Sequence, residues 1–264
     1  MEYKLIAVDL DGTLLGSDRK VSDRNRRAMQ DVLSAGKIFT VSTGRPLQGV
    51  LGIIDMLDAD LPFIIYNGAM ALTTKSRRVI YETSLSGELA REAVILGREL
   101  GTTLLIWARG ELYVSEFNQS VKDYMEIVNY MPKVVDNLEQ IAANGVTKVI
   151  WRDEPERMAK FQDEIKSRFA GRLNCHLSLP ILLEFVDINA SKAVAMQKIG
   201  EHYEIAQSEM IAVGDSFNDI SMIEYARLGV AMGNAPEPIK NIADYVTLSN
   251  DEDGVAHVIN RFML

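Results

Sequence analysis

The sequence predicts an α/β fold: a doubly wound, mainly parallel sheet forming the core, with an α+β domain inserted into it. Three observations carry this prediction. Residues 1–85 alternate short apolar runs with helical patterns, and the same alternation returns after residue 190. Each run is continuously apolar rather than alternating, the mark of strands buried on both faces of a parallel sheet. The stretch between has a different texture, with signals for antiparallel hairpins and helices.

Taken in order, "LIAV" (5–8), "KIFTVS" (37–42) and "FIIY" (63–66) read as strands. Between the first two lies a helix. Ser22 suits its N-cap and Gly36 its C′ position, and Ala28, Met29, Val32 and Leu33 are spaced to form one apolar face. In the insert, "SGELAREAVILGREL" (86–100) is helical, and "TLLIWARGELYVSE" is two strands joined at Arg109-Gly110. "TKVIWRD" (147–153), a helix over 155–169 and a hairpin around Pro180 complete it. The core resumes with a helix over 191–203, a strand at 210–215, a helix over 218–229 and short strands at 229–233 and 245–248. The expected division is a core of residues 1–83 plus 184–264 and an inserted domain of 84–183.

Composition excludes several classes. The 264 residues are 47% hydrophobic and 25% charged, values of an ordinary soluble globular protein. No run approaches the apolar length of a membrane span. Glu2, Asp9 and Asp11 argue against a secretory signal. A single cysteine, Cys175, rules out an internal disulfide framework and makes a cytoplasmic location the default. A net charge of −9 disfavours nucleic acid and anionic membrane as partners. It leaves room for a small phosphate ligand, because a local cation dominates inside a pocket. Oligomeric state is not legible.

Three strand ends carry chemistry. "LIAVDLDGT" runs from a strand into Asp9 and Asp11. Residues i and i+2 of a strand face the same way, so both carboxylates are expected to point to one spot, beyond the carboxyl ends of the strands where α/β sheets bind ligands. Two such charges repel unless a cation sits between them, and Mg²⁺ suits oxygen ligands of this kind. A plain Asx-type turn would need only one Asp and the Gly. "VSTGRP" offers Thr43 and Gly44 before a helical stretch, either an anion site or an ordinary N-cap. "IAVGDSFND" ends a third strand with Asp215, Asn218 and Asp219. Asp215 is placed to ligate metal and Asn218 to donate to a phosphate oxygen. Lys192 opens the 191–203 helix and could supply a fixed positive charge, although a lone lysine there is usually solvated. Together these residues are the parts of phosphoryl transfer.

The ordered set "DLDGT", "STGR", "SK" and "GDSFND" resembles the haloacid dehalogenase superfamily of phosphotransferases. The insert resembles the cap of its Cof-type sugar-phosphatase branch, and "IIYNGA" and "SNDEDGVA" are most similar to YidA-like members. The resemblance implies a Mg²⁺-dependent phosphomonoester hydrolase acting on small phosphorylated metabolites, sugar phosphates among them, beneath a mobile cap. It implies Asp9 as nucleophile, forming an aspartyl-phosphate, and Asp11 as general acid and then base. Mg²⁺ would be held by Asp9, the Asp11 carbonyl and Asp215, with Asp219 steering its waters. The main chain at Leu10, Thr43 with Gly44, Lys192 and Asn218 would hold the phosphoryl oxygens. Arg45, Asn67 and Gly68 lie where relatives border the substrate, and each has an equally plain structural reading. Ala193 stands where the family often has glycine after the lysine. A phosphomutase on the same scaffold and a non-catalytic phosphometabolite sensor are the alternatives. His176, His202 and His257 are scattered, so histidine catalysis and a zinc site are not expected.

Overall fold

The computed structural model describes residues 2–53 and 59–264. By contacts the chain divides into two compact units, Met1–Thr43 with Gly52–Tyr81 and Ser191–Leu264, and Gly44–Leu51 with Glu82–Ala190.

The first unit is built on an eight-stranded sheet in the order β14-β13-β12-β1-β2-β3-β4-β5. These strands are β1 (Leu5–Asp9), β2 (Ile38–Ser42), β3 (Pro62–Ile65), β4 (Met70–Thr73), β5 (Val79–Glu82), β12 (Met210–Gly214), β13 (Leu228–Ala231) and β14 (Tyr245–Val246). Pairing is parallel from β14 through β3, and β4 turns back antiparallel to β3. β1 lies at the centre and is wholly buried, which explains its unbroken apolar run.

Alternation sends Leu5 and Ala7 to one face of the sheet. There they pack with Ile64 and Ala71 against Ala195, Met196 and Ile199 of a helix over Lys192–Tyr203. That helix is α6 in chain order, after α1 (Asp23–Ser34), α2 (Gly87–Glu99), α3 (Gln119–Val128), α4 (Leu138–Ala142) and α5 (Pro155–Arg168). α7 (Ile220–Tyr225), α8 (Glu237–Ile242) and α9 (Gly254–Val258) follow. α1 starts where expected: the Ser22 hydroxyl accepts from the Asn25 N–H at 3.0 Å. It ends at a left-handed Gly36 with φ of 72°. It packs against β2 and α9, burying Ala28, Met29 and Val32, with Leu33 half-buried.

The second unit holds a six-stranded sheet in the order β10-β11-β9-β6-β7-β8. Its strands are β6 (Thr103–Ala108), β7 (Glu111–Val114), β8 (Lys133–Val134), β9 (Lys148–Arg152), β10 (Leu173–Leu179) and β11 (Leu182–Asp187). Every pairing except β7–β8 is antiparallel. The hairpin at Arg109-Gly110 has φ of 54° and 77° at these residues, the left-handed pair that a two-residue turn between twisted strands requires. α2, α4 and α5 cover one face through Ala90, Ala93, Val94, Leu138, Ala142, Met158 and Ile165. Trp107 is a core residue whose indole N–H donates to the Tyr124 hydroxyl at 2.9 Å. Cys175 also packs against this core, and burial pushes its thiol up to about 12.

Three elements differ from the sequence reading. The helix expected over 218–229 is a 3₁₀ turn at Phe217–Asp219 followed by α7, which stops at Tyr225. Gly229 is already in β13, where its N–H donates to Asp244 and an added Cβ would overlap the Ile223 carbonyl. The division between units falls after Tyr81 and Ala190, not at 83 and 184, because β11 pairs with β10 as far as Asp187. Tyr66 lies beyond β3 in a tight turn with positive φ at Tyr66, Asn67 and Gly68.

Candidate active site

The carboxyl ends of β1 and β12 and the first residue of α6 meet at one point. β1 delivers Asp9 there. The chain then reverses, with the Leu14 and Leu15 N–H groups donating to the Asp9 and Leu10 carbonyls. The turn passes through Gly12 at φ of 82°, where a Cβ would lie 2.5 Å from an Asp215 oxygen. Only glycine admits both that conformation and that approach. The hydroxyl of Thr13 donates to Asp215 at 2.7 Å, and the Asn234 amide donates to the Gly12 carbonyl at 2.8 Å.

β12 delivers Asp215, and the 3₁₀ turn after it brings back Asp219. One Asp219 oxygen accepts from the Asp215 and Ser216 N–H groups at 3.1 and 3.0 Å. Its other oxygen accepts from Lys192 at 2.6 Å, and Lys192 also donates to Asp9 at 2.5 Å. Lys192 is therefore a fully buried bridge between the end of β1 and the 3₁₀ turn after β12. The Ser191 hydroxyl caps α6 by accepting from the Val194 N–H, which fixes the helix start that carries the lysine. Gly68, with φ of 95°, packs so tightly on the Ser191 carbonyl that no side chain would fit.

Carboxylate oxygens of Asp9, Asp215 and Asp219 lie within 4.8 Å of one another. Burial pushes Asp9 well above the usual carboxylate range, Asp219 and Asp215 add to this, and Lys192 opposes it. Burial likewise raises Asp215 to about 6 against the Thr13 hydrogen bond, with the Asp219 charge adding to the rise. Burial would lower Lys192, but Asp219 and Asp9 outweigh it and hold its ammonium form above the usual range. Three carboxylates against one ammonium leave an excess of negative charge in a buried place. A hard divalent cation fits that donor set, which is all oxygen and carries the needed charge.

The remaining predicted residues take varied places. Asp11 does not share a strand face with Asp9, because β1 ends at Asp9 and residue 11 sits in the turn. It is exposed and outside the group of three, although its charge acts on Asp215. Leu10 is fully buried. Thr43 is buried, with its N–H donating to the Ile64 carbonyl and its carbonyl accepting from the Asn67 N–H. That amide hydrogen is thereby engaged within the sheet edge. Gly44 and Arg45 follow on the connection to a 3₁₀ turn at Leu47–Val50, where the Arg45 guanidinium donates to the Gly49 carbonyl at 3.1 Å. The Asn218 amide donates to the Asn67 side chain at 3.0 Å, so these two predicted residues meet. Thr13 and Asn234 were assigned no role from the sequence. Their motifs, "DGT" and "GNA", were visible, but their partners are far away in the chain.

A family model described as haloacid dehalogenase-like hydrolase matches residues 6–259. The phosphatase YwpJ of Bacillus subtilis is 31% identical, covering 98% of this chain and 100% of its own. The 5-amino-6-(5-phospho-D-ribitylamino)uracil phosphatase YitU of the same organism is 28% identical over 99% of both chains. The crystal structure of TM0651 from Thermotoga maritima superimposes with a TM-score of 0.87 at 30% identity, covering 98% of this chain and 97% of that one. The chain belongs to the haloacid dehalogenase-like hydrolases. Within them it is an enzyme of the phosphatase type.

Proposed function

We propose that this protein is a Mg²⁺-dependent phosphomonoester hydrolase that works through a phosphorylated Asp9. The observation that carries the proposal is the buried Lys192 bridge, which joins Asp9 to Asp219 directly beside Asp215. A nucleophilic carboxylate, a fixed cation and an oxygen-ligand site in contact are the elements an in-line phosphoryl displacement needs.

Asp9, Asp215 and the main-chain carbonyl of Asp11 would hold the metal. Both Asp219 oxygens already accept hydrogen bonds from the chain, which suits it to bracing the loop and Lys192. When bound, Mg²⁺ supplies the charge that makes the crowded carboxylates and the incoming phosphate compatible.

Asp9 attacks phosphorus, and the P–O bond to the leaving alcohol breaks as the aspartyl-phosphate forms. Asp11, exposed beyond the strand end, gives its proton to the departing oxygen. It then takes one from the water that attacks the aspartyl-phosphate, releasing phosphate and restoring Asp9. Lys192 donates to the phosphoryl oxygens as charge moves onto them, with Asn218, the main chain at Leu10 and the Thr43 hydroxyl completing the cradle. Asn67 and Gly68 would border the remainder of the substrate.

The substrate class is a small phosphorylated metabolite with a sugar or sugar-alcohol body. YitU is named for a substrate of this kind, one with a phosphorylated ribityl chain. The enzyme would work in the cytoplasm. The test is a panel of phosphate esters with Mg²⁺, read as free phosphate, beside Asp9→Asn. Release by the wild type and none by the variant supports the reading. Equal release by both overturns the covalent mechanism, and isomerised substrate without free phosphate would favour a phosphomutase.

A further inference from the structure

One buried hydroxyl next to the reacting carboxylate is left over by this scheme. Ser42 is the last residue of β2, fully buried, and its Oγ has no hydrogen-bond partner among the described residues. Buried hydroxyls are nearly always satisfied, because an unmet one forfeits its hydration without return. Ser42 is also the register partner of Asp9 across the parallel β1–β2 pair. Partners in register point their side chains to the same sheet face. That face carries Leu5 and Ala7 from β1 and Ile64, the partner of Ser42 on β3, and α6 covers it. The unmet hydroxyl and the Asp9 carboxylate therefore sit side by side beneath the helix that starts with Lys192.

Lys192 has a conflict that this hydroxyl can resolve. Its ammonium donates to Asp9 and to Asp219, and it must also serve the transferred phosphoryl group. Turning toward that group weakens its bond to Asp9. The Asp9 oxygen that does not attack phosphorus, and would hold Mg²⁺ by one lone pair, then has its other lone pair open to a donor in this buried place.

We propose that Ser42 is a positioning residue for Asp9, its hydroxyl donating to the non-attacking carboxylate oxygen when Lys192 turns to the phosphoryl group. It makes and breaks no covalent bond. The proposal rests on the phosphatase reading above and gives a role to Ser42, the residue of "STGR" that it leaves without one.

The test compares wild type with Ser42→Ala in three measurements: thermal stability without substrate, steady-state kcat and KM on an accepted phosphate ester, and the single-turnover rate of phosphoryl transfer to protein. The expected result is a higher melting temperature, because an unmet buried hydroxyl is gone, with kcat and the transfer rate about tenfold lower, as for loss of one hydrogen bond in the transition state. KM should stay within about twofold, since the bond forms after binding. A variant with wild-type kcat overturns the proposal, and so does one whose melting temperature and kcat fall together, which would mark Ser42 as purely structural. A wild-type protein that hydrolyses nothing on the panel overturns the phosphatase reading itself, and this proposal with it.

Discussion

Replacing Lys192 by methionine keeps the length of the side chain and removes its charge. The lysine is fully buried and bonds Asp9 at 2.5 Å and Asp219 at 2.6 Å. Removing one partner of a buried ion pair costs about 3–5 kcal/mol, because the charge left behind is uncompensated. At roughly 2–4 °C per kcal/mol, a melting temperature near 10 °C lower is expected at pH 8 in EDTA. The loss depends on pH in a definite direction. Asp9 is already held above the usual carboxylate range by burial and by the charges of Asp219 and Asp215, and without Lys192 it rises further. A carboxyl whose folded-state pKa is raised favours the fold below its unfolded value, and that advantage disappears as pH rises through the folded value. The variant should therefore recover most of its stability at pH 5, and Mg²⁺ should restore part of it at pH 8 by binding the native site. Scanning calorimetry of both proteins at the two pH values, with EDTA or Mg²⁺, reads all four quantities. Equal melting temperatures at pH 8, or an equal deficit at pH 5 and pH 8, would refute the reasoning.

Three further outcomes follow from the same geometry. In EDTA, Asp215 moves from its ordinary 3.8 to about 6 on folding; at 1.36 kcal/mol per unit this is about 3 kcal/mol, and partial exposure leaves about 1–2 kcal/mol. That stability is present near pH 4 and lost as pH rises through 6, so Asp215→Asn should gain on wild type between pH 4 and 7 in urea titrations; a constant difference would contradict this. Gly12→Ala places a methyl 2.5 Å from the Asp215 carboxylate in a left-handed backbone. It should weaken Mg²⁺ binding at least tenfold by calorimetry. In the second unit, Lys148 and Glu184 form a buried pair at 2.9 Å, with Ser178 also donating to Glu184. Lys148→Met alone should cost about 3–5 kcal/mol, and the double variant Lys148→Met with Glu184→Leu should recover most of that in chemical denaturation.

Much of the fold was legible because local rules and the tertiary arrangement agree. The apolar run at 5–8 is a central strand, Ser22 caps α1, and Arg109-Gly110 adopts the left-handed turn its composition favours. The reading failed where long-range packing decides. Nothing local stops a helix at Tyr225; the close seat of Gly229 against Ile223 does. Strand alternation was extended to Asp11, but hydrogen bonds from Leu14 and Leu15 end the strand two residues earlier.

The site follows the same division. Asp9, Asp215 and Asp219 stand at the ends or beginnings of recognisable elements, so their convergence was foreseeable from a parallel sheet. Lys192 taken alone reads as a solvated lysine, and only the placement of α6 makes it the centre of the cluster. Ser42 is the register partner of Asp9 across two strands, and Asn234 bonds the Gly12 carbonyl across more than two hundred residues of chain. Such partners become visible only once strand order is known.

The central claim is that phosphoryl transfer passes through Asp9, and the stereochemical course at phosphorus tests it most directly. A thiophosphate substrate made chiral by two oxygen isotopes, hydrolysed in water labelled with the third, reports the number of displacements. Two successive in-line displacements, first by Asp9 and then by water, predict retention of configuration. Inversion would show a single direct attack by water and would contradict the account.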